Sequence, residues 1–555
     1  MTAALPDLRQ RAAAVSVLAA VQLLVLAAVT EFAQAAACLA VGHASSLALA
    51  AGAAAAIFVA VAYARRAGAR GAVIATAISA LAALASPLLA RTYDVSWDGQ
   101  AYHQLAIQQL AGGWSPFGTA LPGSDLSNAY FVNHYAKGAW LRAAAVYLLG
   151  GDIEAAKGWT FALAAAAGLA ALGALLRARG IRGWAAIAAA ALATANPVVT
   201  TQILTNYVDG QLASLLTATA ALAAVVALRG GRVAIVGLAA CASLAPGLKF
   251  TGFVYASLFA AGAVAAAWRW DRAAARRVAL ACAGGLAVGT LFVGFNPYVT
   301  NWRSRGHPFF PLAGPGAIDI ITGHAGPVFM SRSRFEKVAL SVLAASQNEQ
   351  NVEPTLKWPF TLVRDETTPF RWPDVRLGGF GPFFSGALVL SLAALLAARR
   401  TDRRASALAA GMAAALLATA LVNPHAWWAR YAPQLWLFPI VLALGAATRA
   451  GGRAAAVLAA AALVTTAADA GIVAVNAINR GLKRSAVLEA QLASLAREPL
   501  PVPVRFRFES HRARLRDAGV RFVEADPLPC ARPEKLESTN TEFCRTAGVP
   551  RPAGP

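Results

Sequence analysis

Charged residues are scarce in this chain, and acids are the scarcest of them. Asp and Glu number 27 among 555 residues against 49 Lys and Arg, and charged residues of all kinds make up 14% of the sequence. Hydrophobic residues make up 58%, a balance that excludes an ordinary soluble globular protein. The chain also lacks a Walker loop, a dinucleotide-binding fingerprint and a zinc motif, which argues against ATP-driven transport by this chain alone.

Long apolar runs repeat along the sequence instead. A helical crossing of a bilayer takes about 20 apolar residues, because no water is present to satisfy backbone groups. We therefore predict an all-α polytopic membrane protein with about 13 transmembrane helices, the first of them retained rather than cleaved as a signal peptide. The predicted spans are 14–38, 44–64, 72–91, 155–176, 183–201, 210–228, 233–248, 250–268, 278–296, 383–399, 405–422, 434–448 and 453–475.

The net charge of +22 is explained by where the arginines fall. They cluster in every second short connection, which is the positive-inside pattern and not a nucleic-acid surface. With Arg9 and Arg11 before the first span, the pattern predicts a cytoplasmic N-terminus and an extracytoplasmic C-terminus. The strong Ala, Arg and Gly bias indicates a GC-rich bacterial genome, so the bacterial inner membrane is the predicted location. The clusters are Arg65, Arg66 and Arg70; Arg177, Arg179 and Arg182; Arg229 and Arg232; Arg269, Arg272, Arg276 and Arg277; Arg399, Arg400, Arg403 and Arg404; Arg449 and Arg453.

Residues 1–475 form the predicted membrane domain, with a first outer loop at 92–154 and a long outer loop at 297–382. Residues 476–555 form a predicted extracytoplasmic α/β appendage, with an amphipathic helix from Leu488 and two strands around a second helix. Cys530 and Cys544 lie in this appendage and are predicted to form a disulfide. The alternative, two free thiols in a cytoplasmic tail, requires one span fewer.

The first outer loop carries the most conspicuous acids. Asp94 and Asp98 are four residues apart, so on a helix they share a face, which Tyr102 extends. Two carboxylates at one end of a cavity can act as a base and an orienting group. The alternative is that Asp98 caps the N-terminus of the following helix. Glu31, inside the first span, is either functional or lies near the outer end of the helix, facing water or a bundle partner.

Other polar residues fall at predicted outer helix ends. Lys249 either meets a phosphate or anchors the interface, and Asp209 either faces a cavity or caps a helix. Arg430, beside Tyr431, runs against the charge trend and suits a phosphate partner. His103 lies next to Tyr102, and the pair formed by His103 and His134 is a weak metal signal. Arg303 could bind polar groups of a substrate or simply face the lipid headgroups.

Several stretches resemble the GT-C superfamily of polytopic glycosyltransferases, in its protein O-mannosyltransferase and lipid A aminoarabinose transferase branch. They cover roughly residues 1–450 and resemble the family in order and membrane side more than in any one motif. The stretches are WDGQAYH (Trp97–His103), GWSPFG (ending at Gly118), NHYAKGAW (Asn133–Trp140), NPVVTTQILTNYVDGQ (Asn196–Gln211), GLKFTG (Gly247–Gly252), NPYVTNWRSRGHPFFPL (Asn296–Leu312) and ARYAPQLW (Ala429–Trp436).

The resemblance implies a donor sugar on a polyprenyl phosphate and a first-loop acid acting at the acceptor. Asp98 matches the first acid of the family's acid-pair-then-tyrosine pattern, and Tyr102 matches its tyrosine. Gly99 stands where the family often has Asp or Glu, so a second carboxylate has to come from Asp94 or elsewhere. The sequence identifies no certain cofactor, and it leaves open whether a divalent cation is required.

These inferences favour a glycosyltransferase that moves a sugar to a lipid, glycan or protein hydroxyl with inversion, surrounded by membrane lipids and without a nucleic-acid partner. The catalytic candidates are Asp98 and Asp94, and Tyr102, His103, Asp209, Lys249, Arg303, Arg430 and Tyr431 are substrate-binding candidates. A flippase for lipid-linked glycans or another secondary transporter is the alternative of a different class. Such proteins place their polar groups near the midplane, whereas here they cluster at helix ends. A noncatalytic envelope scaffold is a third hypothesis.

Overall fold

A computed structural model describes residues 4–122, 128–178, 180–229 and 231–545. Arg179, residues 123–127 of the predicted first outer loop and residues 546–555 of the predicted appendage lie outside these ranges. The described α-helices are α1 (Ala4–Ala40), α2 (Leu47–Ala67), α3 (Ala69–Leu89), α4 (Gln104–Ala111), α5 (Asn128–His134), α6 (Gly138–Gly150), α7 (Gly158–Arg177), α8 (Gly183–Thr194), α9 (Pro197–Gln202), α10 (Asp209–Ala227), α11 (Arg232–Leu248), α12 (Phe250–Trp268), α13 (Arg272–Ala287), α14 (Thr300–Arg305), α15 (Pro327–Met330), α16 (Arg334–Leu343), α17 (Phe384–Ala398), α18 (Arg403–Leu421), α19 (Leu437–Ala446), α20 (Gly452–Ala496) and α21 (Ser510–Asp517).

Nine helical segments of the described chain are long and apolar enough to cross a membrane, namely those containing α1, α2, α3, α7, α10, α12, α13, α18 and α20. Four shorter apolar helices, α8, α11, α17 and the segment ending in α19, coincide with the remaining predicted spans. The protein is thus a helical, multi-pass membrane protein, as the apolar runs predict. The count of 13 crossings and the orientation of the termini stay predictions.

The helices pack in two groups. In the first, α1 lies against α2, α3, α7 and α11, while α10 packs on α7, α11 and α12. In the second, α17 packs on α19 and α20, and α18 packs on α19. Both groups share one apolar core, built largely of Ala, Leu and Val. Small side chains let helix backbones approach closely. This close packing stabilises helix association in a membrane, where the hydrophobic effect does not drive helices together.

Glu31 illustrates that close packing. It is buried in α1 and forms an ion pair with the equally buried Arg142 of α6. Gly138 and Gly247 lie against its carboxylate, and a Cβ at either position would collide with it. The structure therefore pairs Glu31 within the bundle, which is the structural alternative for this residue.

Three segments gather at one end of the bundle, here called the loop-bearing end. The first loop (92–154) contains α4 to α6, and the long loop (297–382) contains α14 to α16. The third segment is the C-terminal appendage, whose strands are β1 (Val502–Arg505), β2 (Phe522–Glu524), β3 (Glu534–Lys535) and β4 (Glu542–Phe543).

The appendage is a small α/β unit with strand order β2-β1-β4-β3. Strands β1 and β2 are parallel and are connected through α21, while β4 pairs antiparallel with β1. Cys530 and Cys544 form a disulfide with their Cα atoms 5.9 Å apart. No separate helix begins at Leu488, because α20 runs unbroken from Gly452 to Ala496 and carries the chain out of the bundle into the appendage.

Candidate functional site

A cavity of about 330 Å³ lies at the loop-bearing end, where both loops meet the ends of the bundle helices. Its walls combine carboxylates, cations and aromatic rings. The residues that line it include Trp97, Asp98, Tyr102, His103, Tyr135, Asp209, Lys249, Phe250, His324, Asp374, Trp428, Arg430 and Tyr431. Among the predicted site residues, the cavity collects Asp98, Tyr102, His103, Asp209, Lys249, Arg430 and Tyr431. It does not collect Asp94 or Arg303.

Arg430 is the hub of this cavity. Its Nε lies 2.9 Å from an oxygen of Asp209, its Nη2 lies 3.4 Å from Asp98, and its Nη1 lies 3.6 Å from Asp374. Its guanidinium also stacks over Tyr207, 4.9 Å from the ring centroid. Burial disfavours the charge, but Asp209 and Asp98 outweigh it and hold the pKa of Arg430 above its ordinary value. The guanidinium is therefore a fixed positive charge.

Asp209 is a fully buried counter-ion rather than a helix cap. Its oxygens accept from Lys249 Nζ at 2.6 Å, from Arg430 Nε at 2.9 Å and from Gln202 Nε2 at 3.1 Å. Lys249 also lies over the ring of Tyr431, 4.0 Å from its centroid. The two cations are thus oriented by one carboxylate that has no exposed surface of its own.

Asp98 occupies the capping position before a wide, π-type helical turn, Gly99–His103, but makes no side-chain capping bond. Its carboxylate instead faces the cavity, 23% exposed, beside Arg430. Single π-type turns are frequent at functional sites. The structure therefore places Asp98 where a group in the cavity can reach it.

Asp94 lies behind that turn and not in the cavity. One oxygen accepts from the backbone N–H of Ser96 and from its hydroxyl, and the other accepts from the backbone and side-chain nitrogens of Asn206 at 2.7 and 2.8 Å. Burial raises the pKa of this carboxyl, partly offset by Lys157. Its partners tie the first loop to the connection before α10.

The position of Asp94 explains the unexpected glycine at 99. A Cβ on Gly99 would collide with the carboxylate of Asp94 and the hydroxyl of Ser96. A second acid at this position has no room in this loop. Asp94 and Ser96 thus fill the space that a side chain at position 99 would need.

Two histidines present neutral rings to the cavity. His103 accepts a hydrogen bond at Nδ1 from Trp140 Nε1 at 2.7 Å, and burial lowers the pKa of His103 to about 4. His324 accepts at Nδ1 from Arg376 Nε at 3.0 Å, and its pKa is lowered by burial and then by that guanidinium. Each neutral ring therefore carries its proton on Nε2 and acts as a donor there.

Asp374 is a cavity carboxylate that the sequence interpretation missed. It lies on the long loop, and burial raises its pKa to about 6, with Arg430 opposing and Asp98 adding to the rise. Its sequence context, RWPD at 371–374, matches no catalytic or metal-binding motif that could have indicated it. Among the described residues, no group of three or more His, Cys, Asp or Glu could hold a metal ion.

Arg303 is exposed on α14, with its guanidinium 5.7 Å from the ring centroid of Phe295. Arg303 lines neither this cavity nor the one beside it. Tyr431, by contrast, lines the charged cavity and also a second cavity next to it.

The second cavity has a volume of about 610 Å³ and is mostly apolar. It shares Phe250, Leu312, Ile320 and Tyr431 with the charged cavity. Val254 and Tyr255 of α12 line one side, and Val422, just after α18, lines another. The long loop lines the rest, so a mostly apolar space between α12 and this loop opens directly beside the charged residues.

The appendage supports the first loop from behind. Arg514 is buried and donates to Gln100 at 2.8 Å, to Gln104 at 3.1 Å and to Glu154 at 2.9 Å. His511, also buried, contacts the Gln100 side chain at 3.0 Å. The π-type turn that follows Asp98 is therefore held between the bundle and the appendage.

Fold and site together define a multi-pass membrane protein with a charged cavity at one end of its helices. No family model matches the chain, and no curated protein matches it. Among solved structures, the chain is similar to the crystal structure of ArnT from Cupriavidus metallidurans bound to undecaprenyl phosphate. The two are 16% identical, the match covers 81% of this chain and 85% of that chain, and the TM-score is 0.41.

Proposed function

We propose that the protein is a glycosyltransferase that takes a sugar from a polyprenyl-phosphate donor and transfers it to a hydroxyl of a lipid, glycan or protein. The observation that carries the proposal is the pair of adjoining cavities. One holds carboxylates and cations, the other is mostly apolar and lies between α12, the connection after α18 and the long loop, and they meet at Phe250 and Tyr431. A lipid phosphate needs both environments at once.

The cations suit the phosphate. Asp209 binds the Nε edge of Arg430 at 2.9 Å, while both terminal nitrogens keep only the longer contacts to Asp98 and Asp374. Those terminal nitrogens can exchange a carboxylate for phosphate oxygens without turning the guanidinium. Lys249 supplies a second positive charge from the same side.

In the proposed reaction, the hydroxyl oxygen of the acceptor attacks the anomeric carbon of the donor sugar, and Asp98 accepts the proton of that hydroxyl. The bond from that carbon to the phosphate oxygen breaks, and its electron pair leaves with the lipid phosphate. A single displacement inverts the configuration, and the cations stabilise the departing charge. Asp374, rather than Asp94, is the second carboxylate in this proposal. The arginine distribution supports the extracytoplasmic face as the side of the reaction.

Mass analysis of envelope glycans and glycolipids tests the proposal in wild-type cells, cells lacking the protein, and cells carrying Asp98→Asn or Asp365→Asn. Asp365 lies in the long loop, is 81% exposed, and serves as the control. We expect one sugar to be lost with the protein and with Asp98→Asn, since a positioned base contributes about 10²–10⁴-fold. Cells that lose no glycan on deletion would favour a transporter or a scaffold.

A further inference from the structure

The long loop exposes a line of apolar side chains, here called the apolar strip: Phe335, Ala339, Leu343, Leu356, Trp358 and Phe360. The first three lie four residues apart on α16 and so share one face of that helix. Trp358 is 82% exposed and Phe335 is 61% exposed. Contiguous exposed apolar surface of this kind marks an interaction site.

The strip is continuous in space. The backbone N–H of Lys357 donates to the carbonyl of Leu343 at 3.0 Å, which places Trp358 next to the end of α16. Lys357 also forms a buried ion pair with Glu366 at 2.6 Å and donates to the carbonyl of Pro382, so this part of the loop is fixed.

Both ends of the strip contact the ends of bundle helices. Arg334, at the start of α16, donates to the carbonyl of Leu421, the last residue of α18, at 2.9 Å. Phe360 lies against the first turn of α17, where a Cβ on Gly386 would meet its ring at 2.6 Å. Phe360 adopts φ +68°, a costly conformation for a bulky residue.

The apolar strip continues an exposed apolar face of α17, and this continuity indicates what covers it. Gly386 lies one turn before Val389, and Val389, Leu392 and Leu396 form an exposed apolar face of α17. In a multi-pass membrane protein that face contacts lipid. The surface that begins on α17 continues through Phe360 and Trp358 onto α16, with Arg332 and Glu336 beside it. Tryptophan and basic residues flanking an apolar face are typical of the membrane interface.

We propose that the apolar strip is embedded in the headgroup region of the leaflet at the loop-bearing end and anchors the long loop to the membrane. The same loop carries His324 and Asp374 into the charged cavity. The anchor therefore sets the depth of these two residues relative to the lipid headgroups. It does not depend on which reaction the cavity performs.

Site-specific fluorescence tests this in the full chain. The buried cysteines Cys38, Cys241 and Cys282 are replaced by alanine, the disulfide is kept, and an environment-sensitive NBD label is attached to Trp358→Cys, Phe335→Cys or Arg364→Cys. Arg364 is in the same loop with 95% of its side chain exposed and is the matched control. Each variant is purified into nanodiscs of phosphatidylcholine and phosphatidylglycerol with and without headgroup-proximal spin-labelled lipid.

We expect blue-shifted emission at positions 358 and 335, strong quenching by the spin-labelled lipid and little quenching by aqueous iodide. The label at 364 should show the reverse. Iodide quenching at 358 and 335 equal to that at 364 would overturn the proposal. So would a blue shift that occurs in native membranes but not in the nanodiscs, since this would indicate a protein partner. Phe335→Cys keeps the test decisive if Trp358→Cys does not fold.

Discussion

The Nε of Arg430 lies 2.9 Å from a carboxylate oxygen of Asp209, a residue 221 positions earlier in the chain. This bond sets the plane of the guanidinium and leaves both terminal nitrogens facing the cavity. Asp209 itself has no exposed surface, so it acts on the cavity only through Arg430 and Lys249. The site therefore consists of one buried carboxylate, Asp209, with the cations Arg430 and Lys249 arranged around it.

Arg430→Lys should weaken binding of undecaprenyl phosphate, used here as a probe, by about tenfold or more. A lysine cannot contact Asp209 and the phosphate in one plane, and a charge-assisted hydrogen bond contributes about 1.5–3 kcal/mol. Calorimetry or microscale thermophoresis in detergent measures the affinity. Arg364→Lys, an exposed position of the long loop, should bind as the wild type does. Equal affinity in Arg430→Lys would argue that the phosphate is held elsewhere.

Binding of a lipid phosphodiester should strengthen as the pH falls through about 6, the pKa to which burial raises Asp374. Below that pH the carboxyl is neutral, and above it a carboxylate repels the anion. The methyl ester of undecaprenyl phosphate is a suitable probe, because its own charge stays constant over this range. Asp374→Asn should remove the dependence, while Asp365→Asn should keep it. A slope that survives in Asp374→Asn would assign the titration to another group.

Gly99→Ala should lower stability by about 1–3 kcal/mol, because the new Cβ overlaps the carboxylate of Asp94 in a packed turn. The midpoint of thermal unfolding in detergent reports the loss. Gly118→Ala is the control, since nothing lies within 4 Å of a Cβ there. If both variants melt alike, the space behind the turn is not closed by Asp94.

Arg514→Gln should loosen the turn after Asp98, because it removes the charge that faces buried Glu154. Breaking a buried pair costs about 3–5 kcal/mol. Hydrogen exchange should rise in peptides covering residues 97–105 in the full chain. Arg516→Gln changes an exposed residue of the same helix and should leave those peptides protected. Unchanged exchange in Arg514→Gln would mean that the appendage does not support the first loop.

The bundle is well predicted from composition, because a long apolar run in a membrane protein has essentially one solution, a helix. Strands β1 and β2 and helix α21 between them also follow from local pattern, whereas the short strands β3 and β4 do not. The continuity of α20 does not, since Leu488 restarts an amphipathic pattern that hides an unbroken backbone.

The site is predicted in part. Asp98, Asp209, Lys249 and Arg430 stand at helix ends, and helix ends on one side of a membrane come together, so their proximity is foreseeable. Asp374 is not, because its loop has no periodicity to fix where it returns. Asp94 shows the opposite limit: helical spacing would place it on one face with Asp98, but residues 93–96 are not helical, and the contact with Asn206 holds Asp94 at the back.

Helix α20 has one more consequence. Its 45 residues span about 68 Å at about 1.5 Å per residue, roughly twice the hydrocarbon thickness of a bilayer. As a single rod it fixes both the height and the azimuth of the appendage. One residue inserted between its membrane part and Arg484 would swing the appendage by about 100° and move Arg514 away from Gln100. Seven inserted residues would nearly restore the angle but lift the appendage by about 10 Å. The length and rotation of α20 therefore determine whether the appendage can support the turn that carries Asp98 into the cavity.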